Sequence, residues 1–379
     1  MKIDVWVPDF AGATGGIQTF SYFLVHGLKD SFPDAELTVF AKNDRCVPPA
    51  DELNVARFHA TGTWPAWQRT TAFTLALLTH TLWHRPDLII IAHINFVPVA
   101  YLAQKFLGIP YWAIGHGVEV WKKPNFQVKT ALRNAAKLMA VSSFTRARMS
   151  EVLELPVDKI DLLPDTFDPA DFMIGPKPRF LLKRYGLRPE QPVILTIARL
   201  ASEERYKGYD QILQALLDIR ERFPDVCYLL GGRGPDRLRL EGIVSRLGLE
   251  KNVVFAGYIR DDELTAHYNL CDVFAMPSKG EGFGIVFLEA SACGKPVVAG
   301  NKDGSADALL NGKLGMLVDP DNRNQIAAAI IQILSTQQTP GILCDPAMLR
   351  QLVIEAYGYP RFVERLKQLV GPMSQESRK

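Results

Sequence analysis

The chain has 379 residues, of which 47% are apolar and 22% charged, and its formal net charge is +2. This composition excludes an intrinsically disordered protein. The chain is longer than one that forms a single ordinary hydrophobic core, and its net charge does not indicate a nucleic-acid partner. The five cysteines are scattered and include no C-x-x-C pair. They fit a reducing compartment and predict neither a disulfide framework nor a zinc site.

Continuous apolar runs alternate with helical segments along the whole chain. The strand-like runs are IDVWVP, LTVFA, LIIIAH, YWAIG, LMAVS, IDLLP, VILTIAR, CYLLGG, VVFAGY, VFAMPS, VVAG and GMLVD. Runs without polar alternation are typical of parallel strands that are covered on both faces. Regular alternation of strand and helix predicts an α/β protein with doubly wound sheets.

A stretch rich in proline and charge, near residues 164–178, divides the chain. We expect a Rossmann-like domain at 1–168, a second at 178–357, and a last helix at about 358–371. The longest apolar segment, residues 71–83, is too short and too polar to span a bilayer, so we predict an amphipathic core helix there. The first residues read as a strand rather than a signal peptide, and we expect a cytoplasmic protein.

Polar residues and glycines follow several of the predicted strands in the first half, where ligands of doubly wound sheets bind. Gly15 and Gly16 are consecutive glycines, which let a backbone approach a phosphate closely. His93 and Asn95 either contact an acceptor or cap a helix. His116 begins H-G-V-E, which ends at Glu119. A histidine at a strand end commonly has a structural role.

In the second half, the run VILTIAR ends with Arg199, and Lys207 comes eight residues later. A diphosphate leaving group requires positive charge as its bond to a sugar breaks, and arginine and lysine can supply it. The alternative is a solvated charged loop, and that is our prediction for Glu203, Glu204 and Arg205.

The stretch from 276 to 295, MPSKGEGFGIVFLEASACGK, predicts strand, glycine turn and helix. This order places unpaired backbone N–H groups at a helix N-terminus, where anions bind. Glu281 lies in the turn and Glu289 within the apolar helix, where a carboxylate is costly unless it is hydrogen-bonded. Gly232 belongs to G-x-G-P, which lacks the third glycine of a dehydrogenase fingerprint.

Five motifs occur in one order: the glycine pair, H-G-x-E, R-L…K-G, G-x-G-P and E-x7-E. Together they resemble the retaining glycosyltransferases of family 4. The resemblance implies the GT-B fold, with two facing Rossmann-like domains, a cleft between them and a last helix that packs back on the first domain. It also implies transfer of a hexose from a nucleotide-diphosphate sugar, by same-face attack because no protein nucleophile is identifiable.

The resemblance assigns a role to each candidate. Arg199 and Lys207 stabilise the departing diphosphate in place of a metal, and Glu281 binds sugar hydroxyls. The remaining donor contacts are Gly15 and Gly16 at the diphosphate, His116 at the sugar 6-hydroxyl, Gly232, Tyr258 and Ile259 at the nucleotide, Phe283, Gly284 and Ile285 at the sugar or phosphate, and Glu289 at the ribose. His93, Asn95 and Glu119 are the acceptor-side candidates, and Glu119 alternatively orients His116.

No cofactor or metal is predicted. The sequence Asp319-Pro320-Asp321 has the form of a metal-binding Asp-x-Asp, but it precedes a helix, so we expect capping, as for Asp261. Asp303-Gly304-Ser305 replaces the glycine pair usual in the family, which leaves the donor sugar less defined. As the donor we expect UDP-glucose first and GDP-mannose second.

The acceptor is a glycan or a lipid-linked molecule, and peripheral contact with the membrane is one expectation. One stretch is rich in aromatic and basic residues: Tyr111, Trp112, Trp121, Lys122, Lys123, Phe126 and Lys129. It could bind a lipid-linked acceptor or a membrane surface. The alternative is a core strand followed by the solvated face of a helix. Three rival functions stay open: a phosphorylase-like enzyme with a pyridoxal lysine, a nucleotide-sugar epimerase using His116 and Glu119, and a non-catalytic nucleotide-sugar-binding protein.

Overall fold

The computed structural model describes residues 1–10, 15–47, 57–335 and 341–376. Residues 11–14 of the predicted glycine loop therefore lie outside the described residues. The chain divides into two compact units: Met1–Thr166 with Tyr359–Lys379, and Phe167–Gly358. We call them the first and the second unit. Each is built on one parallel β-sheet.

Among the described residues, the sheet of the first unit has seven strands. They are β1 (Lys2–Val7), β2 (Glu36–Ala41), β3 (Arg57–Ala60), β4 (Leu88–Ile91), β5 (Tyr111–Gly115), β6 (Lys137–Ala140) and β7 (Ile160–Leu162). Their spatial order is β3-β2-β1-β4-β5-β6-β7. In β1, Val5 pairs with Val39 of β2 on one side and Ile90 of β4 on the other. These side chains are buried, which explains the continuous apolar runs.

Helices alternate with these strands in the part of the unit that the structure describes. They are α1 (Gly16–Ser31), α2 (Ala66–His84), α3 (Val97–Leu107), α4 (Val118–Trp121), α5 (Phe126–Arg133) and α6 (Ser143–Leu153). Helix α3 packs against both α2 and α5. All three contribute to one hydrophobic core with the sheet, through side chains such as Phe73, Leu77, Val97 and Leu132. They therefore cover the same face of the sheet.

In the described part of the second unit, the sheet has six strands. They are β8 (Val193–Ile197), β9 (Cys227–Gly231), β10 (Val253–Gly257), β11 (Val273–Met276), β12 (Val297–Gly300) and β13 (Gly315–Val318), in the spatial order β10-β9-β8-β11-β12-β13. Its helices are α7 (Arg179–Tyr185), α8 (Tyr209–Arg222), α9 (Arg237–Leu247), α10 (Asp261–Leu270), α11 (Ile285–Ala292), α12 (Ser305–Ala308), α13 (Arg323–Ser335) and α14 (Pro346–Tyr357). A 3-10 helix at Ser202–Lys207 follows β8.

The last helix, α15 (Tyr359–Glu376), packs on α1 in the first unit. The Phe362 ring meets the Phe20 ring edge-on, with 5.9 Å between centroids. Leu366 lies over Gly27, where any β-carbon would come within 2.7 Å of it. The chain thus returns to its first unit after completing the second.

The predicted α/β class with two doubly wound parallel sheets is confirmed, since each of the twelve apolar runs contains a strand. Strand β3 was not predicted, because its residues RFHA alternate between exposed and half-buried positions at the sheet edge. The strand order reverses between β1 and β4 and between β8 and β11. Ligands of such sheets bind at the carboxyl ends of the strands beside this reversal.

Candidate functional site

Predicted site residues of the second unit follow the carboxyl ends of four adjacent strands. Arg199 follows β8, Gly232 follows β9, Tyr258 follows β10 and Glu281 follows β11. Strands β8 and β11 are the pair at which the strand order reverses. The parallel sheet therefore brings together residues that are up to 82 positions apart in the sequence.

Two cations and two carboxylates form a chain of ion pairs at these strand ends, which we call the ion chain: Arg199, Glu204, Lys207 and Glu281. Nε of Arg199 donates to Oε1 of Glu204 over 2.6 Å. Nζ of Lys207 lies 3.9 Å from Oε2 of Glu204 and donates to Oε1 of Glu281. The side chain of Arg199 is 75% exposed, whereas those of the other three are at most 16% exposed.

Lys207 is charged in this arrangement. Burial alone would lower the pKa of the ammonium, but the carboxylate of Glu281 outweighs burial and holds that pKa above its usual range. A buried cation with a carboxylate as its neighbour can exchange that neighbour for another anion of suitable geometry.

The prediction of a solvated loop was wrong for Glu204, whereas Glu203 and Arg205 are exposed as expected. Glu204 is 8% exposed and pairs with both cations of the ion chain. Arg205 donates to both carboxylate oxygens of Asp236, over 2.6 and 3.1 Å. The sequence signal at Glu204 was only charge in a loop, which does not distinguish a solvated residue from one folded back on its neighbours.

Helix α11 begins directly after the glycine turn. Its N-cap residue Gly284 has φ 99°, a left-handed conformation that favours glycine, and no side chain among the described residues caps the helix. The first N–H groups of any helix lack partners within it. Those of Ile285 and Val286 therefore form a donor site next to Glu281, while the Phe283 ring packs edge-on against Tyr357.

Glu289 lies on α11 and accepts a hydrogen bond of 2.5 Å from the Tyr268 hydroxyl. Burial raises the pKa of the Glu289 carboxyl to about 7, an effect that the Tyr268 hydrogen bond partly offsets. The expected hydrogen-bond partner of this costly carboxylate is thus a tyrosine on α10. One partner leaves acceptor capacity on the carboxylate.

Asp303 was not a candidate from the sequence, although its replacement of a family glycine was visible there. It is 2% exposed. Its carboxylate accepts from the Ser278 hydroxyl and the Glu281 backbone N–H, both over 2.7 Å, and from the Ser305 backbone N–H over 3.0 Å. The Gly304 N–H donates to the Glu281 carbonyl over 2.9 Å. Asp303 therefore holds the turn that carries Glu281.

The remaining nucleotide candidates have distinct surroundings. A β-carbon at Gly232 would lie 1.8 Å from the Ala198 carbonyl oxygen, and its N–H donates to the Gly257 carbonyl over 2.7 Å. The close approach of backbone therefore explains this glycine. Ile259 is buried, whereas Tyr258 is 42% exposed and carries the Arg233 guanidinium 4.7 Å from its ring centroid. An exposed aromatic face of this kind can stack on a planar ring.

In the first unit, His116 is buried, and its Nε2 lies 2.8 Å from the Ala92 carbonyl oxygen. Because a carbonyl only accepts, Nε2 carries the proton. Burial lowers the pKa of the imidazole, with Glu119 opposing and His93 adding to the shift. A neutral ring with its proton on Nε2 presents Nδ1 as a hydrogen-bond acceptor.

Glu119 binds backbone rather than the His116 ring. Its Oε1 accepts from the N–H groups of His116 and Gly117, over 2.6 and 3.0 Å. His93 accepts from the Asn95 N–H over 3.3 Å and so caps the short 3-10 helix that follows, with Asn95 exposed. Burial lowers the pKa of the His93 imidazole.

The glycine pair lies at the start of α1. Gly15 is the N-cap residue in an extended conformation, and Gly16 is the first residue of the helix. No atom of the described residues lies within 4 Å of a β-carbon placed at Gly16, so packing does not explain that glycine.

Two capping predictions were wrong. Asp261 is the first residue of α10, whose N-cap position is Arg260, and no side chain among the described residues caps it. Ahead of α13, Asn322 accepts from the Gln325 N–H over 3.1 Å. Asp319 and Asp321 instead pair with lysines: Lys302 reaches both and Lys279 reaches Asp321. Among the described residues, His, Cys, Asp and Glu form no group of three or more that could hold a metal ion.

Two family models match the sequence. The model described as "Glycosyl transferases group 1" matches residues 179–343, and the model described as "Glycosyltransferase Family 4" matches residues 14–171. Together they cover most of both units.

Named relatives and solved structures match over long stretches. The GDP-mannose-dependent alpha-(1-6)-phosphatidylinositol monomannoside mannosyltransferase of Mycolicibacterium smegmatis is 32% identical over 342 residues, which are 86% of this chain and 87% of the relative. The sucrose-phosphate synthase of Thermosynechococcus elongatus is 21% identical, with a TM-score of 0.83 over 99% of both chains. Anabaena HepE in complex with UDP and glucose is 20% identical, with a TM-score of 0.77 over 98% of this chain and all of that one.

Proposed function

Because this chain belongs to glycosyltransferase family 4 and is a glycosyltransferase with the GT-B fold, we propose that it transfers a hexose from a nucleotide-diphosphate sugar with retention of anomeric configuration. The acceptor in this proposal is a glycan or a lipid-linked molecule. The observation that supports it most is the ion chain beside the uncapped N-terminus of α11.

The diphosphate of the donor replaces carboxylates as the partner of the two cations. Arg199 is exposed enough to swing from Glu204 to a phosphate, and Lys207 is buried and charged without any ligand. Negative charge accumulates on the diphosphate as the glycosidic bond to the donor sugar breaks. Fixed cations and helix N–H groups stabilise that charge more in the transition state than in the ground state, which lowers the barrier.

Glu281 changes its partner during donor binding. In the structure it accepts from Lys207, and its backbone is held by Asp303. Once the diphosphate neutralises Lys207, the Glu281 carboxylate is available to accept from sugar hydroxyls. The sugar is thereby bound next to the leaving group, as transfer requires.

The nucleoside occupies a second set of residues in the same unit. Glu289 accepts from the ribose hydroxyls with the oxygen capacity that Tyr268 leaves, while Tyr258 and Ile259 contact the base. Gly232, Phe283, Gly284 and Ile285 complete the nucleotide and phosphate contacts.

His116 remains the proposed contact of the sugar 6-hydroxyl, through its Nδ1, and Gly15 and Gly16 that of the diphosphate. A neutral imidazole can accept from a hydroxyl without a change of protonation. His93, Asn95 and Glu119 remain proposed acceptor-side residues. Glu119 acts there by fixing the backbone of His116 and Gly117.

GDP-mannose is the donor we now place first and UDP-glucose second, the reverse of the ranking from sequence. The reason is that the Mycolicibacterium smegmatis relative, similar over 86% of this chain, is GDP-mannose-dependent. That relative acts on phosphatidylinositol monomannoside, which supports a lipid-linked acceptor for this chain as well.

A thermal-shift panel tests the donor. GDP-mannose, GDP-glucose, UDP-glucose and UDP-mannose are compared, with GDP and UDP as references. A donor at a hundred times its dissociation constant stabilises the folded chain by about 2.7 kcal/mol, which raises Tm by roughly 5–10 °C for a unit of this size. The proposal fails if no nucleotide sugar raises Tm.

A further inference from the structure

An apolar surface covers the outer side of α2 and α3 in the first unit. On α2 the side chains of Trp67, Leu75, Leu78 and Leu82 are exposed, and their spacing of eight, three and four residues places them on one stripe of the helix. The predicted amphipathic helix thus has a core-facing stripe through Phe73 and Leu77 and a second apolar stripe facing outward.

The surface continues beyond this stripe. Trp64 precedes α2 and Trp83 lies near its end, and the two are 50% and 82% exposed. On the neighbouring α3, Leu102 and Phe106 stand one turn apart, and Phe106 is 74% exposed. Phe126 at the start of α5 is 84% exposed. Single exposed apolar residues are ordinary on proteins, but a run of large ones across three packed helices marks an interaction site.

Charge is segregated to the same part of the chain. Residues 61–133 contain seven Lys and Arg but only two Asp and Glu, so their formal charge is +5 while that of the whole chain is +2. Both acids are engaged by backbone: Asp87 accepts from the Lys2 N–H and Glu119 from those of His116 and Gly117. Lys105 lies beside Phe106, with Nζ 6.0 Å from the ring centroid.

Two of the basic residues are already paired. Lys129 and Arg133 on α5 contact Glu154 over 2.7 and 3.3 Å. Lys122 and Lys123, just before α5, are exposed. Of the aromatic stretch expected to meet a membrane or acceptor, Tyr111 and Trp112 are buried in β5 and do not contribute.

We propose that this face of the first unit, formed by the outer sides of α2 and α3 with Phe126, Lys122 and Lys123, docks on an anionic phospholipid bilayer. Aromatic and leucine side chains inserted at the headgroup level, surrounded by lysine and arginine, are the combination that such surfaces bind. A second copy of this chain fits less well, because a symmetric contact would oppose two positive surfaces.

Docking of this kind is peripheral. Among the described residues no helix has the length and hydrophobicity needed to cross a bilayer. The proposal accompanies the lipid-linked acceptor of the proposed function, but it rests on exposure and charge alone. A binding assay without donor or acceptor therefore tests it separately from the transfer reaction.

The test is sedimentation of the full chain with vesicles of phosphatidylcholine alone and with 30% phosphatidylglycerol. We expect binding to the anionic vesicles that weakens with added salt, and at least tenfold less to neutral ones. Replacing Trp67, Trp83 and Phe106 together by Ser is expected to lower the partition coefficient at least tenfold, with Tm unchanged because these side chains are exposed. Lys105→Glu with Lys122→Glu is expected to remove the preference for anionic lipid.

The matched control is Leu238→Ser, which removes a side chain that is 79% exposed in the second unit. It is expected to bind vesicles as the original chain does. The proposal is overturned if the chain ignores anionic vesicles at low salt, or if the triple variant binds them unchanged. It is also overturned if light scattering shows a dimer that the triple variant dissociates, since the face would then join two copies.

Discussion

The partly buried carboxyl of Glu289 allows a prediction in which stability and ligand binding move in opposite directions. Burial raises its pKa to about 7, whereas the pKa of an ordinary glutamate carboxyl is 4.5. Between these pH values the folded chain holds a proton that the unfolded chain has lost. The stability that this proton confers is complete below pH 4.5 and is lost as the pH rises through 7.

The size of the effect follows from the shift. A difference of two to three pKa units corresponds to about 3 kcal/mol. At pH 8 the ionised Glu289 therefore costs the folded state about 3 kcal/mol relative to a side chain that stays neutral. Glu289→Gln is neutral at every pH and retains an oxygen that can accept from Tyr268, which donates over 2.5 Å.

We therefore expect Glu289→Gln to raise Tm at pH 8 by roughly 6–12 °C and to change it little near pH 4.5. The same substitution is expected to weaken binding of the nucleoside diphosphate roughly 10- to 100-fold, because hydrogen bonds from ribose hydroxyls to a charged carboxylate contribute about 1.5–3 kcal/mol. Scanning calorimetry between pH 4.5 and 8 and titration calorimetry with GDP and UDP measure the two effects.

Two variants serve as controls. Glu221→Gln replaces an exposed glutamate of α8 and is expected to alter neither quantity. Tyr268→Phe removes the hydrogen bond that lowers the Glu289 pKa and is expected to steepen the loss of stability towards pH 8. The reasoning is refuted if Glu289→Gln destabilises the chain equally at both pH values. Unchanged nucleotide affinity would refute the ribose assignment.

Three further predictions concern the ion chain and its support. Lys207→Met is expected to lower kcat at least 100-fold, because a fixed cation is lost at the leaving group and Glu281 is left buried and unpaired. Lys313→Met, at an exposed lysine, is expected to leave kcat unchanged. Comparable kcat values for the two variants would contradict the proposed role of Lys207. Glu204→Gln is expected to tighten nucleoside-diphosphate binding severalfold, because the Glu204 carboxylate competes with the diphosphate for Arg199 and Lys207. Weaker binding in titration calorimetry would contradict this competition and would mean that Glu204 orients the two cations. Asp303→Ala leaves the buried N–H of Ser305 and the partly buried N–H of Glu281 without this acceptor, and a buried N–H without a partner costs about 1–3 kcal/mol. We expect lower Tm and lower kcat, in contrast to Asp345→Ala at an exposed helix cap.

The fold was predictable where burial is complete. Strands β1 and β8 lie inside their sheets with both faces covered, so they read as unbroken apolar runs. Strand β3 lies at an edge of the sheet, and its apolar residues Phe58 and Ala60 are only half-buried, so its sequence contains no unbroken apolar run. Edge strands are specified by pairing with a neighbour, which a single sequence does not display.

The candidate site was predictable as a set of strand ends but not as a network. Arg199 and Glu281 could be placed because each follows a recognisable strand. The burial of Glu204 could not, because it depends on a 3-10 turn that folds a loop carboxylate between two cations. Asp303 differs again: its departure from the family pattern was visible, but its bond to the Glu281 N–H appears only when β11 and β12 lie side by side.

The outward face of α2 shows that apolar residues alone do not predict which side of a helix is buried. Trp67 and Leu82 are as apolar as Phe73 and Leu77, and periodicity alone does not say which stripe meets the core. The packed position of α3 decides it, since only one side of α2 can contact the sheet.

Retention during hexosyl transfer is the central claim, and the configuration of the product tests it most directly. The chain is incubated with GDP-mannose and phosphatidylinositol monomannoside, then with UDP-glucose in place of the first donor, and the anomeric carbon of the new linkage is examined by NMR. We predict an α-linked product from an α-linked donor, formed equally well in EDTA because Arg199 and Lys207 supply the charge at the leaving group. A β-linked product, or transfer that EDTA abolishes and Mg²⁺ restores, would contradict it.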